Sequence, residues 1–223
     1  MTKAINFSFS QPAKGEGYRT NVDSIHLARF AAERPVRSVI DLGAGSGCIG
    51  LWLLQNANAS HVTFVERDAL AVSHLQTNVR ENEFSTRATV VAADVSSLVS
   101  NPSSPKEITV DRASLIVCNP PYFNASKAPP SPESRRAAAR TGSLAPFLSA
   151  MRRLLGPRGR GCLVYPVTEF TDLMVALRQE HLEPKRLRFV HPKLSAPARI
   201  VLVEVQGAKL GGLNIESPLI EIQ

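Results

Sequence analysis

Apolar runs of strand length alternate with stretches of helical spacing along most of this chain. That rhythm builds a parallel sheet covered by helices on both faces. Ser38–Leu42 reads as a buried strand and Gly47–Gln55 as a helix opening on glycines. His61–Glu66 follows as a second strand, then a helix over Ala69–Asn82 with Leu70, Leu75 and Val79 expected on one face. Thr89–Ala93, Ser114–Cys118 and Gly161–Tyr165 are the next three strands, the last preceded by a helix around Leu144–Leu155. A further helix over Thr168–Gln179, capped by Thr168 or Thr171, leads to two late strands, Arg186–Val190 and Arg199–Val205. With no helix between them, these two predict an antiparallel pair at one sheet edge. The expected fold class is α/β, a doubly wound sheet.

Two segments break the rhythm. Met1–Arg19 carries Phe7, Phe9 and Tyr18 around Pro12, Gly15 and Gly17, and reads as an arm folded over the body and leading into a helix at Val22–Ala32. Phe123–Thr141 holds three prolines and four basic residues, and a loop of that length in an α/β domain is usually functional or mobile. Ser100–Pro105 reads as a plain surface turn. The expected organisation is an arm and helix over residues 1–37, one catalytic domain over 38–209 and a tail over 210–223.

At 223 residues and 43% hydrophobic content the chain has material for one packed core. No apolar run has the length of a membrane span, and the first residues lack a secretory pattern. Cys48, Cys118 and Cys162 have no paired spacing, which predicts neither disulfide nor zinc and points to the reducing cytoplasm. None of His26, His61, His74, His181 and His191 shows metal-ligand spacing; His191 reads as a turn residue. Net charge is +7, and Lys127–Lys209 alone holds 15 Lys/Arg against 6 Asp/Glu. A basic half beside a neutral one makes a polyanion, above all RNA, the expected partner.

The run Asp41-Leu-Gly43-Ala-Gly45-Ser-Gly47 lies between a strand and a helix, where glycines let the backbone approach a ligand and the helix offers free N–H groups. Gly45-x-Gly47-x-x-Gly50 also satisfies a dinucleotide fingerprint, with Glu66 at the distance of a ribose acceptor. Two acidic residues tilt the reading toward S-adenosylmethionine over a nicotinamide cofactor. Asp41 is placed to hold an ammonium group, and Asp94, just past the third strand, to accept from an adenine amino group. The expected cofactor contacts are thus Asp41, Gly43, Gly45, Gly47, Glu66, Asp94 and Asn119.

Asn119-Pro120-Pro121-Tyr122 follows the fourth strand. Two prolines end the strand and stiffen the loop, each fixing its own φ. Such a tetrapeptide suits a planar nitrogen nucleophile. The Asn119 side-chain oxygen and the Pro120 carbonyl can each accept one hydrogen of an exocyclic amine, aiming its lone pair at a methyl donor. Tyr122 offers a stacking face for a planar base. Pro121, Tyr122 and Phe123 are expected against the substrate, and Arg135, Arg136 and Arg140, at helical spacing beyond them, on phosphates.

Asp41–Gly47 together with Asn119–Tyr122 resembles class I, S-adenosylmethionine-dependent amino methyltransferases that act on adenine N6, guanine N2 or the glutamine amide. Tyr18–Asp23, Leu187–Pro192 and Pro197–Glu204 are similar to stretches of bacterial tRNA(Val) adenine N6-methyltransferases, which modify the adenine beside the anticodon. The resemblance implies a seven-stranded sheet with its last strand antiparallel, S-adenosylmethionine as cofactor and a tRNA substrate. It does not extend to Lys127–Pro132 or to the Gly211–Gln223 tail. A protein glutamine N5-methyltransferase, a non-catalytic RNA-binding module and a nicotinamide oxidoreductase remain as alternatives. Only about 37 residues precede the first strand, which leaves little room for the N-terminal domain expected of the glutamine enzymes.

Overall fold

The computed structural model describes residues 7–17, 19–99, 108–120, 144–207 and 210–221. Seven strands form its central sheet: β1 Ser38–Leu42, β2 His61–Glu66, β3 Ala88–Ala92, β4 Ala113–Cys118, β5 Leu155–Pro166, β6 Leu182–His191 and β7 Ile200–Gly207. Their order is β3-β2-β1-β4-β5-β7-β6, parallel except for β7, which is antiparallel to both neighbours. The late pair is therefore antiparallel as expected, but β7 slots between β5 and β6 and leaves β6 outermost of the seven. The tail adds two short parallel pairings to β6, through Asn214–Ile215 and Leu219–Ile220.

The strands are apolar on both faces because helices cover both. Along β4, Leu115 and Val117 pack into the layer with α1 (Val22–Ala32), α2 (Cys48–Asn56) and α3 (Ala69–Glu81). Ile116 and Cys118 pack into the opposite layer with α4 (Ala145–Leu154) and α5 (Phe170–Gln179). Two details differ from the sequence reading. Leu70 is exposed, and α3 buries Ala71, Val72, Leu75, Asn78 and Val79, because five residues of helix turn Leu70 about 140° away from Leu75. Neither Thr168 nor Thr171 caps α5; Thr168 lies in a short 3₁₀ turn at Val167–Glu169, and the backbone N–H of Phe170 bonds back to Val167.

The arm is tied to α3 and its C-cap by several side chains, with the buried amide of Asn78 at the centre. Asn78 accepts from the Ser10 N–H at 2.7 Å and donates to the carbonyls of Ser10 and Ser46 at 2.8 and 2.9 Å. Phe7 and Phe9 meet edge to face and pack on the core.

Part of the basic half is buried or ion-paired. Glu204 is fully buried between Arg34 at 2.8 Å, Arg160 at 3.4 Å and Arg186 at 3.5 Å, and the Arg186 guanidinium lies 3.9 Å from the centre of the Phe30 ring. Arg178, Arg188 and Arg199 are also ion-paired. The surplus of positive charge counted along Lys127–Lys209 thus overstates the free basic surface.

Removing the carboxylate of Glu204 leaves the buried Arg160 guanidinium without its counter-charge and takes one of three carboxylates from Arg186. Glu204→Gln should destabilise the fold by about 3–5 kcal/mol, read as a fall in Tm of roughly 10 °C. A variant that melts with the wild type would show that the cluster contributes nothing net.

Candidate active site

Four neighbouring strands, β3, β2, β1 and β4, end at one sheet edge, and each presents a polar group there. The turn after β1 is closed by Ala44 N–H to the Val65 carbonyl at 2.9 Å and Gly47 N–H to the Ala44 carbonyl at 2.8 Å. Gly47 caps α2 with φ 90°, and a Cβ there would lie 2.4 Å from Leu75 Cδ1. Gly43 has φ 66°, and its missing Cβ leaves room for the Phe147 ring, 2.8 Å from where that atom would be. Gly50 lies against Phe64 and Val62, so α2 packs close to β2. Phe147 lies in the first turn of α4, and no spacing in the sequence marks it as a neighbour of the glycine turn.

Glu66, the last residue of β2, folds its carboxylate against that turn. Oε2 accepts from Gly45 N–H at 2.8 Å, and Oε1 accepts from the N–H groups of Arg67 and Asp68 at 2.8 Å each. Asp94, past β3, caps a 3₁₀ turn by accepting from the Ser96 N–H at 2.9 Å, and it pairs with Arg67 at 3.0 Å. These hydrogen bonds hold its carboxyl below the usual carboxylate range, against a smaller opposing effect of burial. It thus serves as a cap, while its side chain stays 41% exposed at the edge.

Asp41 sits beneath the site rather than on its wall. It is fully buried; Oδ2 accepts from Gly50 N–H at 2.9 Å, and Oδ1 meets no hydrogen-bond partner among the described residues. Burial raises its pKa to about 7, against the pull of the Gly50 hydrogen bond and with help from the charge of Glu66. The ammonium contact expected of Asp41 is therefore not one this geometry presents.

After β4, Asn119 donates from Nδ2 to Ser24 Oγ of α1 at 3.2 Å, and Pro120 is buried. Pro121, Tyr122, Phe123, Arg135, Arg136 and Arg140 lie outside the described residues. Burial pushes the Cys118 thiol far above its ordinary range, with Asp41 adding to the effect, so Cys118 is a packed strand residue and no nucleophile. His191 ties the β6–β7 turn through Nδ1 and the Ala196 carbonyl at 2.8 Å. Among the described residues no cluster of His, Cys, Asp or Glu can hold a metal ion, and no helix is long and apolar enough to cross a membrane.

From Asp94 to Asn119 the edge spans three strand intervals, roughly 15 Å. That is room for an extended ligand joining a base, a ribose and an amino acid, with acceptors at both ends and the glycine turn between. A seven-stranded sheet with this one antiparallel strand and this row of groups is the architecture of the class I S-adenosylmethionine-dependent methyltransferases.

Known proteins agree. Residues 22–132 match the family model described as methyltransferase small domain. A tRNA1(Val) (adenine(37)-N6)-methyltransferase of Parabacteroides distasonis is 29% identical over 92% of this chain and 84% of the relative. One of the same description from Shewanella halifaxensis is 31% identical over 84% of this chain and 74% of the relative. Among solved structures, an Agrobacterium tumefaciens protein described as a predicted O-methyltransferase superposes with TM-score 0.66 at 20% identity, covering 89% of this chain and 86% of its own. TYW2 of M. jannaschii, in complex with AdoMet, superposes with TM-score 0.60 at 13% identity, covering 92% and 85%. At such identities these two establish the shared fold. The chain belongs to the family of the tRNA1(Val) (adenine(37)-N6)-methyltransferases.

The proton on Asp41 gives a pH test. Its folded value of about 7 lies above the ordinary 3.8. The stability tied to that proton is therefore complete below about pH 4 and lost as the pH rises through about 7. Asp41→Asn carries no such proton, so the difference in denaturation midpoint between about pH 5 and about pH 8 should shrink in the variant. An unchanged difference would assign the titration to other groups.

Proposed function

We propose that this protein transfers the methyl group of S-adenosylmethionine to the N6 amine of an adenine in the anticodon loop of a tRNA. The observation that carries this reading is Asn119-Pro120 at the carboxyl end of β4, with the Asn119 amide held by Ser24, in line with the glycine turn and Glu66. The family relatives named for that reaction support the substrate. Bound S-adenosylmethionine supplies a methyl group made electrophilic by its sulfonium charge. Glu66 accepts from the ribose hydroxyls, the turn from Gly43 to Gly47 lies under the amino-acid portion, and Asp94 accepts from the cofactor's adenine amine.

Asn119 Oδ1 and the Pro120 carbonyl take the two hydrogens of the target amine and turn its lone pair toward the methyl carbon. Alignment and exclusion of water then do most of the work. The amine proton leaves after its nitrogen has become cationic, so no strong base is needed beforehand. Tyr122 and Phe123 stack on the base, Pro121 keeps their loop rigid, and Arg135, Arg136 and Arg140 meet phosphates. A loop nucleotide is already partly unstacked, which makes its extrusion into such a site inexpensive. The substrate is then cytoplasmic tRNA.

Labelled methyl transfer into total tRNA, followed by nucleoside analysis, tests the reading; label in N6-methyladenosine is expected, and label in protein glutamine would overturn it. Glu66→Ala should weaken cofactor binding by about 1.5–3 kcal/mol, the range for a hydrogen bond to a charged group, measured by calorimetry. Asn119→Ala should keep cofactor and tRNA affinity while kcat falls on the order of 10²-fold or more. A near wild-type kcat in that variant would reduce Asn119-Pro120 to a strand-ending turn.

A further inference from the structure

The roles given to the sheet edge leave the first turn of α1 unexplained, although it is buried against the site. Asp23 is 1% and Ser24 4% exposed, unusual values for polar residues at a helix start. Asp23 Oδ1 accepts from Arg199 Nη2 at 2.7 Å, and the same nitrogen donates to Glu221 Oε1 of the tail at 2.7 Å. Asn21 caps the helix, accepting from the Asp23 N–H at 3.1 Å, and Glu221 also meets His26 Nε2 at 3.0 Å. Thus a helix start, the residue just before β7 and the tail are locked together, and Ser24 meets Asn119 from that lock.

We infer that Ser24 is a positioning residue that anchors the Asn119 amide beside the target amine. This rests on the proposed role of Asn119 as an acceptor. Ser24 Oγ lies 3.2 Å from Asn119 Nδ2 and ties the amide to the first turn of α1, so the group cannot swing away from the end of β4. An amide already held in place need not be ordered as the amine is aligned with the methyl donor. A hydroxyl suits this task, because it accepts from the amide without bringing a charge into a place that must receive a cationic intermediate and then release its proton. The lock on Asp23 matters because a frayed helix start would carry Ser24 away from the amide.

The test is a cycle of variants in the full-length protein, read with S-adenosylmethionine and tRNA. Ser24→Ala should lower kcat about tenfold, the effect of losing one oriented hydrogen bond at the reaction centre, with KM for both substrates and Tm close to wild type. Ser24→Thr, which restores a hydroxyl, should return most of the rate. In the Asn119→Ala background, Ser24→Ala should cost nothing further, because there is no amide left to orient. A wild-type kcat in Ser24→Ala overturns the inference, as does an equal loss in the Asn119→Ala background. A changed KM for S-adenosylmethionine with kcat intact would also overturn it, making Ser24 part of the cofactor site. If the wild-type protein itself fails to methylate adenine in tRNA, it is the proposed function that falls, a result separate from any of these.

Discussion

β1 is hydrogen-bonded in parallel on both sides, to β2 in one direction and to β4 in the other. The remaining architecture depends on that pairing. Connections leaving β1 and β4 at their carboxyl ends must diverge to opposite sides of the sheet, and the divergence opens a crevice where the strand order reverses. Along β1 and β4 both faces are largely apolar, so the polar groups of the site gather where the strands stop. The glycine turn, Glu66, Asp94 and Asn119 occupy one edge for this reason.

The turn itself is held from several directions. Asp41 supports the α2 backbone from below through Gly50, Asn78 reaches the Ser46 carbonyl from α3, and Glu66 takes the Gly45 N–H from β2. Phe147 closes over Gly43 from the opposite layer. A cofactor lying over this turn would therefore meet a loop already folded, and binding need not order it first. The Gly50 N–H compensates part of the desolvation of the buried Asp41 beneath the turn.

Charge in this protein divides between interior and surface. Arg160 and Arg186 serve Glu204 and the core, Arg178 serves Glu183, and Arg199 bridges the first helix to the tail. Exposed Arg158 and Lys193 remain at the surface. A count of basic residues along the chain therefore measures fold stabilisation and polyanion attraction together, and only burial separates the two.

Features that depend on a few neighbouring residues were legible in the sequence. The β1–turn–α2 unit, Glu66 at the end of β2, the break at Asn119-Pro120 and the antiparallel late strands all follow from local periodicity, glycine and proline, because those signals act within one element. Leu70 and the α5 cap were misread because each depends on a small rotation or a backbone bond that the residue types do not specify. The burial of Asp41, the neutralisation of the arginines, the approach of Phe147 to Gly43 and the contact of Ser24 with Asn119 were decided by tertiary structure alone. Ser24 and Asn119 stand 95 positions apart, and Asp23 and Arg199 stand 176 apart. Such pairs arise from how the layers pack, and packing depends on the shape of the whole core, which no local pattern encodes.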